Sequence, residues 1–439
     1  MAEHSDILIV GGGVIGACCA SELAATGAAV TLLERDEPPA VDSGVYANAG
    51  LITPSDAYPL ASPGVLGKGM KWLLDSGSPF YVAPLADKDL PGWLAQFAQN
   101  CRTEPMRHAM PVQRALLRAS ADLFAELAPE IGEACGYEQK GWLWVFETPE
   151  GFKASVDEIP ESAPLGVVSE VIDAARLPEF APGLAGGFAG GRFQAEDGHV
   201  NPMLFVREMA RLAQERGALL RTRTEVLRLE ASGDRITRVV TSRGDFTADT
   251  VVLAAGAWSA ALGHQVELRL PIQPAKGYSV TVKRPETTPD FPLYLGERHV
   301  CVTPLGDLLR FAGTLELAGF DNAIRWKRVD RIRAGGERAF PGTAALEPVE
   351  VWRGLRPCTP DGLPIIGRSP RQANLVIAAG HCMLGLGEGP ITGRLVTQLI
   401  GDQTPQIDLT PLRVDRFTSP SQFAVRGIER LAALRTPKA

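Results

Sequence analysis

Short apolar runs separated by glycine-rich turns set the pattern of this chain. Ile7 to Val10 is an unbroken apolar run that predicts a buried strand. Residues 17–26 have helical composition with Gly27 as a natural stop, and 29–33 predict a second buried strand ended by Glu34. Further on, 222–230 and 236–240 alternate like strands around a Ser232-Gly233-Asp234 turn, and 250–254 reads as another buried strand. Strand-like runs recur at 278–282, 299–303 and 308–312 and suit an antiparallel sheet. The stretch from Val351 to Gly367 is dense in turn residues and ends in a short apolar strand; another follows at 375–378. Gly380 to Gly389 reads as a second glycine-rich loop. Pro390 then suits a first helical position, with 391–400 as a helix closed by Gly401.

The first loop carries chemistry. It has the form Gly11-x-Gly13-x-x-Gly16, with Val14 and Ile15 inside it, between a strand and a helix. Gly11 permits the tight turn, Gly13 lets a pyrophosphate approach the backbone, and Gly16 lets helix and strand pack closely. A helix N-terminus there offers free N–H groups and partial positive charge to phosphates. Glu34 at the end of the second strand can accept from ribose hydroxyls and would repel a 2′-phosphate. The motif leaves FAD and NAD both open.

Length and composition narrow the choice. At 439 residues the chain is too long for one ordinary core, so two domains are expected. A net charge of −7 argues against a nucleic-acid partner. The seven cysteines show no CxxC spacing and fit a reduced, cytoplasmic context. Ile7 to Ala20 resembles a signal-peptide core, but Glu3 and Asp6 precede it without Lys or Arg, and glycines interrupt it. No apolar run is long enough to predict a spanning helix. The six histidines lack metal-ligand spacing, so no metal is expected, and no G-x-S-x-G appears.

Taken together, several motifs give the chain a family likeness over roughly residues 5–418. They are the fingerprint with Glu34 and Arg35, Ala47-Asn48-Ala49-Gly50-Leu51-Ile52, and Ala254-Ala255-Gly256-Ala257-Trp258. Gly354-Leu355-Arg356-Pro357, Thr359-Pro360-Asp361-Gly362 and Ala379-Gly380-His381 complete the set. The chain resembles the D-amino-acid oxidase and dehydrogenase family of flavoproteins. Its details are most similar to bacterial D-amino-acid dehydrogenases, including those acting on cis-D-hydroxyproline.

The resemblance implies bound FAD, held without a covalent link, and roles for particular residues. Glu34 and Arg35 would hold the adenosine ribose, and Val226 would face adenine through its backbone. Asn48, Ala49, Gly50 and Leu51 would run beside the flavin. Ala255, Gly256, Trp258 and Gly354 would bring backbone to the cofactor. Gly380, Leu384, Gly385, Leu386 and Gly387 would cover the pyrimidine side. Arg356 would bind the substrate carboxylate, with Tyr278 and His381 near the pocket. The chain departs from the family at Ser43 to Asn48, which lacks the usual Thr-Ser or Ala-Ser. Met383 stands near where glycine oxidases often carry a second pocket arginine, which argues against that activity.

The implied architecture is α/β, α+β overall, with a discontinuous Rossmann-like FAD-binding domain over 1–60, 190–260 and 350–418. A substrate domain over 61–189 and 261–349 would be built on an antiparallel sheet. The loop-rich stretch 56–90 suits an ordinary insertion or a lid. The tail, 419–439, carries four basic side chains against one acidic, net +3, with apolar residues near helical spacing. Such a tail suits either peripheral contact with the inner face of a membrane or packing on a domain. The expected reaction is dehydrogenation of a small amino acid or amine, with a quinone or other acceptor receiving the electrons. An oxygen-using oxidase, an NAD-dependent dehydrogenase and a flavin-binding subunit of a larger complex stand as alternatives.

Overall fold

A computed structural model describes residues 2–37, 41, 43–67, 69, 78–83 and 87–417. Two large sheets organise them. In the first, Glu3–Val10 lies parallel between Val30–Leu33 and Gly244–Leu253. Leu219–Arg221 extends this parallel core at one side and Leu375–Ala379 at the other. Val226–Ser232 and Arg235–Thr241 form the expected hairpin, which joins antiparallel to Gly244–Leu253. Ile365–Arg368 pairs antiparallel with Leu375–Ala379. The central strands are near-continuous apolar runs, as a sheet covered on both faces requires. Helices Val14–Ala24, Pro202–Glu215 and Gly385–Ile400 supply one covering layer, sharing a core that includes Ile9, Leu23, Val206 and Leu395.

Glu350–Cys358 edges the second sheet. From there it runs through Gln273–Lys283, Leu308–Leu317, Val300–Leu305 and Leu293–Leu295 to Trp142–Phe146, Gly190–Gln194 and Glu170–Asp173. Phe80–Val82 pairs parallel with Leu308–Leu317. Helix Trp326–Ala339 buries Val329 and Ile332 in a cluster with Tyr278, Val280, Phe311 and Val302. That cluster covers one face, so the other face is left for the first sheet's loops.

Four expectations need correction. Thr222 to Glu225 is not strand: Arg223 takes φ 54° and Thr224 N–H donates to Glu34 O, so the hairpin strand starts only at Val226. Residues 350–358 are a continuous strand rather than a turn, because their backbone pairs with Gln273–Lys283 along its length. The final helix starts at Gly385, and Pro390 lies inside it. Gly190–Gln194 and Glu350–Cys358 both belong to the second sheet, although 190–260 and 350–418 were expected with the cofactor segments. Within 56–90, residues 68, 70–77 and 84–86 lie outside the described residues, as does the expected tail at 419–439.

All seven cysteines are free, most of them buried. Among the described residues no helix is long and apolar enough to cross a membrane.

Candidate active site

The fingerprint is built by convergence of strand ends. Val10 and Leu253 finish neighbouring parallel strands, and Ala254 N–H donates to Val10 O. Gly11 turns there at φ 108°, where a Cβ would stand 2.6 Å from Ala254 O. A Cβ on Gly16 would lie 1.8 Å from Gly11 O, so helix and strand touch only because Gly16 has none. Gly13 differs: a Cβ there would meet only Ser43 Oγ, at 3.6 Å. Crowding within the protein does not require glycine at 13, and Gly13 faces a cavity. The helix begins at Val14 with no side-chain cap and no acid in its first turn, and Val14 and Ile15 line the same cavity. Its first N–H groups therefore await an anion.

Glu34 lies on the cavity wall. It accepts from Gly12 N–H at 2.7 Å and Asp36 N–H at 3.1 Å, one bond to each oxygen. Burial pushes its carboxyl above the usual range, against those two bonds. Arg35 stacks over the Trp258 ring at 4.2 Å. Arg35, Trp258, Ala255, Gly256, Val226 and Asn48 all reach the cavity. Ala49, Gly50 and Leu51 do not. Gly50 takes φ 72°, where a Cβ would stand 2.5 Å from Val200 O, and Leu51 pairs with His199. Gly354 and Gly387 serve packing instead, against the Trp352 ring and against Leu117 and Leu51 O.

Gly385 and Leu386 bring a second uncapped helix N-terminus to the cavity. Glu388 stands in its first turn, fully buried, with neither carboxyl oxygen partnered among the described residues. Burial pushes that carboxyl well above the usual carboxylate range, which opposes a negative charge at this helix end. His381, at the cavity wall, bonds Thr392 Oγ1 through Nε2 at 3.0 Å, while buried Nδ1 has no partner among the described residues. Burial lowers this imidazole to about 3, so it is neutral near pH 7. Gly380 supplies the turn before it at φ 81°; Leu384 stands at the helix cap.

Arg356 enters from the second sheet. Its guanidinium crosses Gly277, where a Cβ would come within 2.2 Å of it, and donates to Thr314 O at 2.9 Å. No carboxylate among the described residues pairs with it, and burial lowers its pKa without neutralising it. Tyr278 is a correction. Gly277 and Ser279 share the face of Arg356, so strand alternation turns Tyr278 to the opposite face. There it is 1% exposed beneath helix Trp326–Ala339, and Arg325 N–H donates to its hydroxyl at 3.4 Å. It does not line the cavity.

Four contributors were not singled out as cofactor-binding residues from the sequence. Ser43, Gly44 and Val45 line the cavity, and a Cβ on Gly44 would stand 2.7 Å from Leu355 O. Arg310 is buried and donates to Asn48 O at 3.2 Å and Thr281 Oγ1 at 3.0 Å, fixing the loop to the second sheet. Only knowledge of strand register would have found it. His4, Asp6 and Asp249 are the one group of potential metal ligands that meets among the described residues. They are exposed and do not line the cavity.

One cavity thus runs from the Glu34 carboxyl, past two uncapped helix ends, to the Arg356 guanidinium. The uncapped first turn, the open approach at Gly13 and the orphaned Nδ1 of His381 all fit a dinucleotide with a polar ring system. The chain belongs to the FAD dependent oxidoreductase family, whose model matches residues 6–399. It is 34% identical over 419 residues to a D-amino acid dehydrogenase of Methylobacterium radiotolerans, covering 94% of this chain and 100% of that one. It is 33% identical over 416 residues to one of Granulibacter bethesdensis, covering 94% and 99%. Glycine oxidase from Geobacillus kaustophilus superposes with a TM-score of 0.77 at 26% identity, over 94% of this chain and 99% of that one. The cofactor is FAD.

Proposed function

We propose that the protein is a dehydrogenase of a D-amino acid, holding the substrate carboxylate on Arg356. The observation that carries this reading is a permanently charged guanidinium, unpaired with any carboxylate of the described residues, at the end of the cofactor cavity. Such a group favours a carboxylate ligand, and a planar fork can hold it bidentately. FAD, when bound, accepts the substrate's α-hydrogen as hydride. Arg356 aims that hydrogen by fixing the carboxylate. His381, being neutral, adds no positive charge that would hold the α-amine protonated. The surrounding buried wall limits water, and the imine product hydrolyses to the keto acid. The names of the most similar relatives support the D-configuration. On this reading the segments around the fingerprint hold FAD and the second sheet holds the substrate. A quinone or similar acceptor then takes the electrons.

The test is anaerobic: purified yellow protein is mixed with a panel of D- and L-amino acids and the flavin absorbance followed. Bleaching by D-amino acids supports the reading, and bleaching by L-amino acids alone overturns it. Dye-coupled turnover well above peroxide production in air is expected; equal rates would indicate an oxidase.

A further inference from the structure

The described residues between Glu34 and Leu51 form no helix or strand. Within 43–48 the turn bonds are long: Tyr46 N–H reaches Ser43 O at 3.2 Å and Asn48 N–H reaches Val45 O at 3.4 Å. Yet Ser43, Gly44, Val45 and Asn48 line the cofactor cavity, so FAD meets the part of the wall with the least regular structure. A segment of that kind opens easily unless something outside it holds it in place.

The second sheet holds it. Register sets Arg310, Thr281 and Glu350 opposite one another on three adjacent strands. Residues alternate between faces along a strand, so Trp352, Gly354 and Arg356 share the face of Glu350. This side of the sheet meets the segment at both ends and in the middle. Arg310 donates to Asn48 O at 3.2 Å, and the Trp352 indole N–H donates to Val41 O at 2.7 Å. Between them Gly44 packs on Leu355 O, and the Tyr46 ring lies 6.3 Å from that of Trp352.

Arg310 is itself fixed before it reaches the segment. It is 6% exposed, its Nε–H donates to Thr281 Oγ1 at 3.0 Å, and Nη2 stands 3.4 Å from Glu350 Oε2. The planar fork thus spreads its donors over Thr281, Glu350 and Asn48 O, which a flexible point charge could not do. Burial lowers its pKa to about 10, so it stays charged at neutral pH. A charged donor makes the bond to Asn48 O stronger than one between neutral groups. Without that bond the segment would spend time in other arrangements, and FAD affinity would fall by the fraction of molecules still arranged to bind it.

We propose that Arg310 is a positioning residue for FAD: it pins the 43–48 segment to the second sheet, so that cofactor affinity is set in part by the sheet that also carries Arg356. Trp352 pins the other end of the same segment. This role needs FAD as the cofactor and holds whichever amine is oxidised.

Stepwise dilution of the flavin-loaded protein, with released FAD read from its fluorescence, gives the dissociation constant. Arg310→Met keeps the side-chain length without charge or donors and should weaken FAD binding by on the order of 10-fold, as expected for one charged hydrogen bond. Arg310→Lys should recover part of that loss. Trp352→Phe removes the N–H at the other end and should weaken binding by about 3-fold. Tyr278→Phe alters the opposite face of the same sheet and should leave FAD affinity unchanged. With FAD saturating, the substrate KM of Arg310→Met should stay within about 3-fold of the parent's, because Arg356 is untouched. Parent-like FAD affinity in Arg310→Met overturns the proposal. So does an equal loss in Tyr278→Phe, which would mean that any loosening of the sheet releases FAD, and so does a large rise in KM. If Arg310→Met does not fold, Trp352→Phe decides, and unchanged FAD affinity there overturns it.

Discussion

The two walls of the cavity are made differently. The cofactor wall is mostly backbone: glycines at turns, two uncapped helix ends, and Glu34 tied into the loop it faces. The wall proposed for the substrate belongs to the second sheet, which brings Leu355, Arg356 and Pro357 to the cavity. A cofactor common to a whole family is met by groups every sequence possesses, its N–H donors and its close-packed turns. Substrate choice needs groups that differ between proteins, and those cost free energy when buried alone. The sheet supplies the stiffness that keeps such groups apart from one another.

The sharpest way to break the contrast is at Gly16. Gly16→Ala forces a Cβ against Gly11 O, so the flavin-to-protein absorbance ratio should drop to near zero or the protein should fail to fold. A fully loaded variant would show that backbone approach is not what holds FAD. On the other wall, Arg356→Ala should keep its flavin while kcat/KM for D-amino acids falls by on the order of 100-fold or more. Arg356→Lys should recover only part, because an ammonium lacks the planar fork. Loss of flavin in Arg356→Ala would mean the two walls are not separable.

A smaller effect concerns pH. Asp197 accepts from the backbone N–H and the hydroxyl of Ser55, next to Asp56, and burial raises it from 3.8 to about 8. The folded chain then holds a proton that the unfolded chain has released. Its contribution is present below the unfolded value and is lost as pH rises towards the folded one. Asp197→Asn should remove that slope, raising Tm at pH 8 relative to pH 5 by on the order of 5 °C in thermal scans. A pH dependence identical to the parent's would show that Asp197 ionises freely in the fold. Least affected should be Tyr278→Phe. Its hydroxyl bonds lie on the sheet's far face, so kcat/KM should stay within about 3-fold and stability should fall by about 1 kcal/mol. A large loss of turnover would return Tyr278 to the substrate wall.

The cofactor wall was legible because its signals are local. Gly11, Gly13 and Gly16 do their work within a few residues of each other, and Glu34 ends the very next strand. The second wall was legible only in part. Arg356 stood out through its motif, but its setting was misread as a turn. A run rich in Gly and Pro looks like one until the pairing with Gln273–Lys283 is known. Pro390 misled in the same way: it resembled a helix start, whereas the helix had already run from Gly385 and tolerates the missing N–H inside.

What the sequence determined alone was the strand-turn-helix unit, the acid that closes it and the kind of cofactor it suits. These follow from steric rules acting between neighbours in the chain. What only the tertiary structure decided was which side chains share a face. Tyr278 and Gly277 are adjacent in sequence, yet the pleat sends one beneath a helix and sets the other under a guanidinium. Arg310 and Asn48 are far apart in sequence, and the register of the second sheet's strands brings the Arg310 guanidinium to Asn48 O. Side-chain direction alternates with every residue, so a pocket on a sheet depends on register summed across all its strands, and no local pattern carries that sum.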